Sequence, residues 1–139
     1  LLEYGIPYDK NVVIEGRYTF ESGEQAADRL LSRGCPMDAV FAFNDMMAIG
    51  AMTRMNARGI GIPTDLSVVG YDDIFVDQFL GVPLTTVRQP TEQLGRAAAR
   101  KIITNEIGSH GKFGRIVFKP ELIERKTVIN RISENGKEQ

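Results

Sequence analysis

The residues from Val40 to Met52, VFAFNDMMAIGAM, give the clearest indication of how this chain folds. It begins as an apolar run typical of a buried strand and continues with apolar residues at helical spacing. Asn44 and Asp45 stand at the junction between the two patterns. A strand that leads directly into a helix is the unit from which parallel α/β sheets are built. The polar pair has two interpretations, a helix cap and a ligand site, and spacing alone does not decide between them.

The same two patterns alternate along the chain. Four helical segments are predicted: one from Ser22, which forms a capping-box pattern with Gln25, to Gly34; one over residues 46–58; a short one over residues 74–80; and one that carries Leu94, Ala98 and Ile102 and ends at Gly108. Strands are predicted at residues 12–14, 39–43, 66–70 and 84–87, and an extended segment with a break at Pro120 at 115–128. The alternation predicts an α/β fold in which a parallel sheet carries helices on both faces, with the runs at 39–43 and 66–70 covered on both sides.

Composition restricts the classes of function. The chain has 17 Lys and Arg against 18 Asp and Glu, so it lacks the basic surface with which proteins grip phosphate backbones, and we do not expect these residues alone to bind nucleic acid. No apolar stretch approaches the roughly 20 residues of a membrane span. Cys35 is the single cysteine, so an internal disulfide is excluded. The chain opens with LLEYGIP, and we expect it to be part of a longer protein.

Polar side chains follow every predicted strand. They are Glu15, Arg17 and Tyr18 after the first strand, Asn44 and Asp45 after the second, Tyr71, Asp72 and Asp73 after the third, and Arg88 and Gln89 after the fourth. In open α/β sheets, ligands bind beyond the carboxyl ends of the strands. Amides, carboxylates and an aromatic ring suit an uncharged, hydroxyl-rich molecule such as a sugar or nucleoside. Phosphate instead favours glycine loops and fixed cations.

Each of these side chains also has a purely structural interpretation. Asp residues such as Asp72 and Asp73 commonly form turns. Tyr18 could instead pack on the surface, and Arg88 and Gln89 could be solvated loop residues. Catalytic motifs such as H-E-x-x-H, C-x-x-C, G-x-S-x-G and the P-loop do not occur in the sequence. The lone His110 lies in a glycine-rich loop. We therefore predict a binding protein without a metal or cofactor, and not an enzyme.

Four stretches together resemble one known family. The stretches are AVFAFNDMMAIGAM, RGIGIPTDLSVVGYDD, PLTTVRQP and IERKTV. In order and spacing over about residues 12–128, the chain resembles the regulatory domain of the lactose-repressor/galactose-repressor (LacI/GalR) family of bacterial transcription regulators. That family joins a helix-turn-helix segment to a two-lobed core similar to periplasmic sugar-binding proteins. An effector bound between the lobes changes the DNA affinity of a dimer.

The resemblance implies roles for particular residues. Asn44 and Asp72 match effector-facing positions, Tyr18 matches an aromatic that stacks on the effector, and Gln89 matches a position at the lobe crossing. Asp45 is then mainly the helix cap. Dimer contacts are implied for Ile49, Met52, Thr53, Phe79 and Leu80, with core packing as the competing interpretation.

The resemblance also divides the chain into parts of an incomplete two-lobed core. Residues 1–88 match most of the C-terminal lobe, residues 89–119 part of the N-terminal lobe, and residues 120–139 the return to the C-terminal lobe with a polar tail. The helix-turn-helix and the first half of the core are not among these residues, so operator DNA is expected to be bound by a separate N-terminal segment. We expect a homodimeric, cytoplasmic regulator that senses a sugar or related molecule. The alternatives are a periplasmic sugar-binding protein of a transporter, which shares the fold, and an enzyme on a similar sheet. PLTTVRQP and ERKT favour the regulator.

Overall fold

The computed structural model describes residues 2–34, 36–104 and 115–130. Its helices are α1 (Phe20–Ser32), α2 (Asp45–Ala57) and α3 (Thr91–Ile103), and its strands are β1 (Ala39–Phe41), β2 (Ser67–Val69), β3 (Thr86–Arg88) and β4 (Glu121–Ile123). Short 3₁₀ helices occupy Leu2–Tyr4, Lys10–Val12 and Phe75–Phe79. The predictions made for Cys35, Gly108, His110 and the polar tail lie outside the described residues.

The strands form the predicted parallel arrangement. β1 pairs in parallel with β2, in a register that places Val40 opposite Val68. Parallel bridges from Val69 to Thr85 and from Asp72 to Arg88 join the end of β2 to β3. β4 then pairs with β3 in the antiparallel sense. β1, β2 and β3 therefore end at one common edge, and the predicted α/β class is confirmed.

Helices α1 and α2 approach each other at two glycines. A Cβ atom on Gly23 would overlap the carbonyl oxygen of Met47, and one on Gly50 would overlap the carbonyl oxygen of Phe20. Only glycine allows two helix backbones to come so close. Asp28 on α1 receives hydrogen bonds from Arg54 (2.8 Å) and Arg58 (2.7 Å), which add charge pairs at the exposed side of the same contact.

The core lies between α2 and the sheet. Ala48 and Met55 of α2 are fully buried with Val68 of β2 and Leu84, which precedes β3. Burial of the Met55, Val68 and Leu84 side chains stabilises the fold by about 1.5–3 kcal/mol each. Among the described residues, none of the helices has the length and apolar character needed to cross a bilayer.

Two predictions near the first helix were wrong. Residues 12–14 do not form a strand: Lys10–Val12 is a 3₁₀ turn that Asp9 caps, and the chain continues in irregular conformation. The capping box lies three residues earlier than predicted, because the Thr19 hydroxyl accepts the Ser22 N–H (3.2 Å) and the Ser22 hydroxyl accepts the Thr19 N–H (3.2 Å). Gly34, at φ 61°, follows the end of α1 as predicted.

Two further predictions were wrong: the burial of the run at 39–43 and the end of α3. The run at 39–43 is not covered on both faces, since Phe41 and Phe43 stay largely exposed and contact each other edge to face, with ring centroids 5.7 Å apart. α3 ends at Ile103, before the predicted end at Gly108, and none of its residues is buried. Both findings show apolar surface that these residues alone do not cover.

Candidate functional site

The four residues predicted to contact an effector all lie at the edge where the parallel strands end. Tyr18 precedes α1, Asn44 follows β1, Asp72 follows β2 and Gln89 follows β3. The Asn44 side-chain N–H donates to the Tyr18 carbonyl oxygen (2.9 Å), and the Gln89 side-chain N–H donates to an Asp72 carboxylate oxygen (2.7 Å). The Asp45 N–H donates to the Tyr71 carbonyl oxygen (2.9 Å), so the two pairs adjoin through neighbouring chain segments.

Asn44, not Asp45, caps helix α2. The Asn44 side-chain oxygen accepts the Met47 N–H at 2.9 Å, and its backbone is extended, as an N-cap requires. The prediction that Asp45 would be the cap was therefore wrong. An asparagine amide carries two N–H donors and an oxygen with two lone pairs. Its bonds to Met47 and Tyr18 use one of each, which leaves Asn44 one donor and one acceptor for a ligand.

Asp45 instead lies fully buried beneath the edge. One of its oxygens accepts the Thr86 hydroxyl proton (2.6 Å), and the other accepts the Ile74 N–H (3.1 Å). A Cβ on Gly70 would overlap this carboxylate, so Gly70 makes room for it. Asp45 thus ties α2 to β3 and to the segment after Asp73, and it supports the edge from below.

Backbone strain is concentrated at the same edge. Among the described residues, the non-glycine residues with positive φ are Tyr18 (61°), Asp72 (122°) and Asp73 (59°). Each such conformation costs about 1–3 kcal/mol and persists only where its surroundings enforce it. Strain of this kind is common at binding sites, and two of these three residues are predicted effector contacts.

Two arginines hold Asp73. Arg88 Nε donates to one carboxylate oxygen (2.6 Å), and Arg125 Nη2 donates to the other. Although desolvation by burial acts in the opposite direction, these hydrogen bonds and the two positive charges hold the pKa of Asp73 below its usual value. Sequence reasoning placed Asp73 among the polar strand ends but missed Arg125 as its partner. The IERKTV stretch pointed to the family, but the contact between residues 73 and 125 is visible only in the folded chain.

Asp77 was also missed by sequence reasoning. It lies fully buried in the Phe75–Phe79 segment, and neither of its carboxyl oxygens receives a hydrogen bond from the described residues. Burial, together with hydrogen bonding to Asp45 and the charge of Asp45, raises the pKa of Asp77 to about 8. In its neutral form Asp77 can donate its own proton to Asp45, whereas the ionised form would place two buried carboxylates side by side.

The predicted dimer residues divide between surface and core. Ile49, Met52 and Thr53 of α2 line a groove of about 210 Å³ together with Leu80. Phe79 is largely exposed, and its ring centroid lies 5.0 Å from that of Phe75. Met52 is buried in the core, which favours the packing interpretation for this residue. For the other four residues, the dimer contact stays a prediction.

The edge as a whole offers an amide, a carboxylate, a second amide and an exposed phenol ring. This set can exchange hydrogen bonds with hydroxyl groups and can stack on an apolar sugar or base face. Among the described residues there is no group of three His, Cys, Asp or Glu side chains that could hold a metal ion. The arrangement therefore has the hydrogen-bonding and stacking groups that a binding site for a small polar molecule requires.

Comparison with known proteins shows the class of protein to which the chain belongs. Residues 1–128 match the model of the periplasmic binding protein-like domain, and the chain belongs to that family. The predicted resemblance to LacI/GalR regulators is confirmed by its relatives. The chain is 38% identical over 123 residues to the HTH-type transcriptional regulator DegA of Bacillus subtilis (88% of this chain, 36% of the relative). It is 40% identical over 129 residues to the HTH-type transcriptional repressor PurR of Vibrio atlanticus (92% and 38%).

Solved structures agree with this assignment. A complex of the transcriptional regulator CelR with cellobiose matches with a TM-score of 0.84 and 38% identity, over 91% of this chain and 38% of that chain. The lac repressor dimer bound to operator and an anti-inducer matches with a TM-score of 0.76 and 33% identity, over 84% and 40%. The chain thus spans less than half the length of these relatives.

Proposed function

We propose that this chain is the effector-sensing part of a LacI-type transcription regulator and that it binds an uncharged, hydroxyl-rich molecule, a sugar or a nucleoside-like compound. Asn44, Asp72 and Gln89 contact ligand hydroxyls, and Tyr18 stacks on the ring. The observation that carries the proposal is the placement of all four residues at one strand edge, where the Asn44 side chain bonds the Tyr18 backbone (2.9 Å) and the Gln89 side chain bonds the Asp72 carboxylate (2.7 Å). The cellobiose bound in the similar CelR structure supports the ligand class.

The site is half of a cleft in this proposal. Residues 1–88 and 120–139 belong to the C-terminal lobe, and residues 89–119 belong to the N-terminal lobe. α3, which has no buried residue, is consistent with a helix whose packing partners lie elsewhere in the protein. The second lobe closes over the polar edge and completes the site.

Regulation follows from a shift between lobe geometries. The effector binds one geometry more tightly and so changes the operator affinity of a helix-turn-helix segment outside these residues. The regulator acts in the cytoplasm as a homodimer, and the lac repressor dimer on operator supports this organisation.

The experiment is a thermal-shift screen of sugars and nucleosides on the full-length protein, followed by calorimetry with the compound that gives the largest shift. Asn44→Ser keeps an N-cap oxygen but removes the amide, and Asp72→Asn removes the charge while it keeps the shape. Each change should weaken binding by about 1–3 kcal/mol because ligand hydroxyls lose their partners. Asp28→Asn, on α1 away from the edge, is the control. Unchanged affinity in both site variants would remove these residues from the pocket.

A further inference from the structure

The Arg125 guanidinium is hydrogen-bonded to Asp73 and lies beside Asp77. Its Nη2 donates to Asp73, its Nη1 donates to the Leu84 carbonyl oxygen (2.8 Å), and Nη1 lies 3.9 Å from an Asp77 carboxyl oxygen. The guanidinium therefore bonds the turn at residues 71–73 and the segment that leads into β3, and it lies next to the Phe75–Phe79 segment without a hydrogen bond to Asp77. The side chain is only 16% exposed, so solvent screens these contacts weakly.

The backbone that carries Arg125 is itself fixed. The Arg125 N–H donates to the Thr85 hydroxyl (3.0 Å). The Thr127 hydroxyl accepts the Thr85 N–H (2.9 Å) and donates to the Val68 carbonyl oxygen (2.6 Å). These hydrogen bonds hold the backbone around Arg125 against β2 and β3, and they thereby limit where its guanidinium can lie.

The turn that Arg125 holds is the strained one. Asp72 and Asp73 are consecutive residues at positive φ, and Asp72 carries the carboxylate that Gln89 contacts. Something must offset the cost of two such conformations. Asp73 is only 8% exposed and has two cationic partners, of which Arg88 is half exposed and also bonded to Glu121. Arg125 is the buried member of that pair of cations.

We propose that Arg125 is a positioning residue for ligand binding: it fixes the strained turn at residues 71–73 and thereby aims the Asp72 carboxylate into the cleft. The proposal rests on the proposed function for its ligand, but the fixing of the turn is measurable without any ligand. The titratable and charged groups near the guanidinium are Asp73 on the turn, Arg88 on β3 and Asp77, which keeps its proton below about pH 8; Asp45 on α2 adjoins Asp77.

The first arm of the test is amide hydrogen exchange on the full-length protein. In Arg125→Gln, the Asp72 N–H, bonded to the Val87 carbonyl, and the Ile74 N–H, bonded to Asp45, should exchange about tenfold faster, while α1 and β1 stay protected. Arg125→Lys keeps the charge but lacks the fork and should give an intermediate increase. Arg54→Gln, which breaks a comparable arginine–aspartate pair with Asp28, should leave residues 70–80 unchanged.

Three results in this arm would overturn the proposal. They are equal protection of residues 70–80 in the wild type and Arg125→Gln, an increase spread evenly over the whole core, and an Arg125→Lys variant that exchanges like the wild type. The last would mean that charge alone is sufficient and that the fork positions nothing.

The second arm uses cellobiose as the probe, titrated by calorimetry. Arg125→Gln should bind it at least about tenfold more weakly than the wild type, and Arg54→Gln should bind it equally well. A loosened turn with undiminished cellobiose affinity would overturn the positioning role. Failure of the wild type to bind cellobiose would exclude cellobiose as the effector, and the exchange arm would still decide whether Arg125 fixes the turn.

Discussion

The Asn44 amide and the Asp45 carboxylate differ in the hydrogen-bond partners that they require. Asn44 is both donor and acceptor, and it sits half buried where it can accept the Met47 N–H and donate to the Tyr18 carbonyl oxygen. Asp45 is an acceptor in its ionised form, and it is fully buried because Thr86 and Ile74 supply donors. Those donors lie 41 and 29 residues away along the chain, so the division of roles was not readable from the local sequence.

Asp77 gives a prediction at the residue scale. The folded chain keeps the Asp77 proton up to a pH of about 8, whereas the unfolded chain releases it near the usual value of 3.8. The folded state therefore binds more protons between these values, and this group lowers the free energy of unfolding as pH rises from about 4 to about 8. The slope is at most about 1.4 kcal/mol per pH unit.

Asp77→Asn should remove that slope, because the Asn side-chain N–H can replace the acid proton as a donor to Asp45. Urea unfolding between pH 5 and pH 8 measures the effect, and the variant should gain most relative to the wild type at pH 8. Asp65→Asn, which alters an exposed carboxylate bonded to the Gly61 N–H, is the control. Parallel pH profiles for the wild type and Asp77→Asn would contradict the shared-proton account.

Among the secondary-structure elements, the contact between α1 and α2 includes the first turn of α1. The sequence predicts a cap at Ser22 with Gln25, whereas in the structure Thr19 and Ser22 cap each other and α1 begins at Phe20. Phe20 and Gly23 therefore both lie in the turn that packs on α2. Gly50 admits the Phe20 carbonyl oxygen there, and Gly23 admits the Met47 carbonyl oxygen.

Gly50 gives the prediction for this contact. An alanine Cβ at position 50 would overlap backbone atoms of Phe20, so Gly50→Ala should destabilise the chain by about 1–3 kcal/mol despite its better helix propensity. Gly95→Ala on α3 is the matched control, since its Cβ would have nothing within 4 Å, and it should stabilise by about 0.5–1 kcal/mol. Denaturant unfolding of the 139-residue chain compares the two. A Gly50→Ala variant as stable as Gly95→Ala would contradict the close crossing.

At the scale of the whole molecule, exposed apolar side chains mark surfaces that these residues leave uncovered. Phe43 on the β1 side, Phe75 and Phe79 after the turn, and Ile103 on α3 are each more than half exposed. Patches of this kind mark contacts with other protein surfaces. The patch at Phe75 and Phe79 adjoins Leu80, where the second half of the dimer contact is predicted.

A substitution at Thr53 would test the predicted dimer contact. Thr53 is exposed on α2 and borders the groove formed with Ile49 and Leu80. Thr53→Lys should place a desolvated charge in the interface of the full-length protein and weaken dimerisation by at least about tenfold, measured by analytical ultracentrifugation. Gln25→Lys, an exposed change on α1, should leave the dimer intact. Undisturbed dimers in Thr53→Lys would place the interface elsewhere.

Apolar periodicity and turn chemistry are local properties of the chain, and they were sufficient to predict the alternation of strands and helices, the parallel pairing and the polar strand ends, apart from the strand at residues 12–14. They also placed Asn44, Asp72 and Gln89 at one edge, since parallel strands end together. Tyr18 reaches that edge without a preceding strand, through the bond from Asn44. The folded chain was needed to show that Asn44 is the cap and that Asp45 and Asp77 are neighbouring buried carboxyl groups. It alone joined Arg125 to Asp73, 52 residues apart in the chain. The reason is physical: burial and hydrogen-bond partners of a charged side chain come from segments distant in sequence, and no local pattern specifies which segments meet.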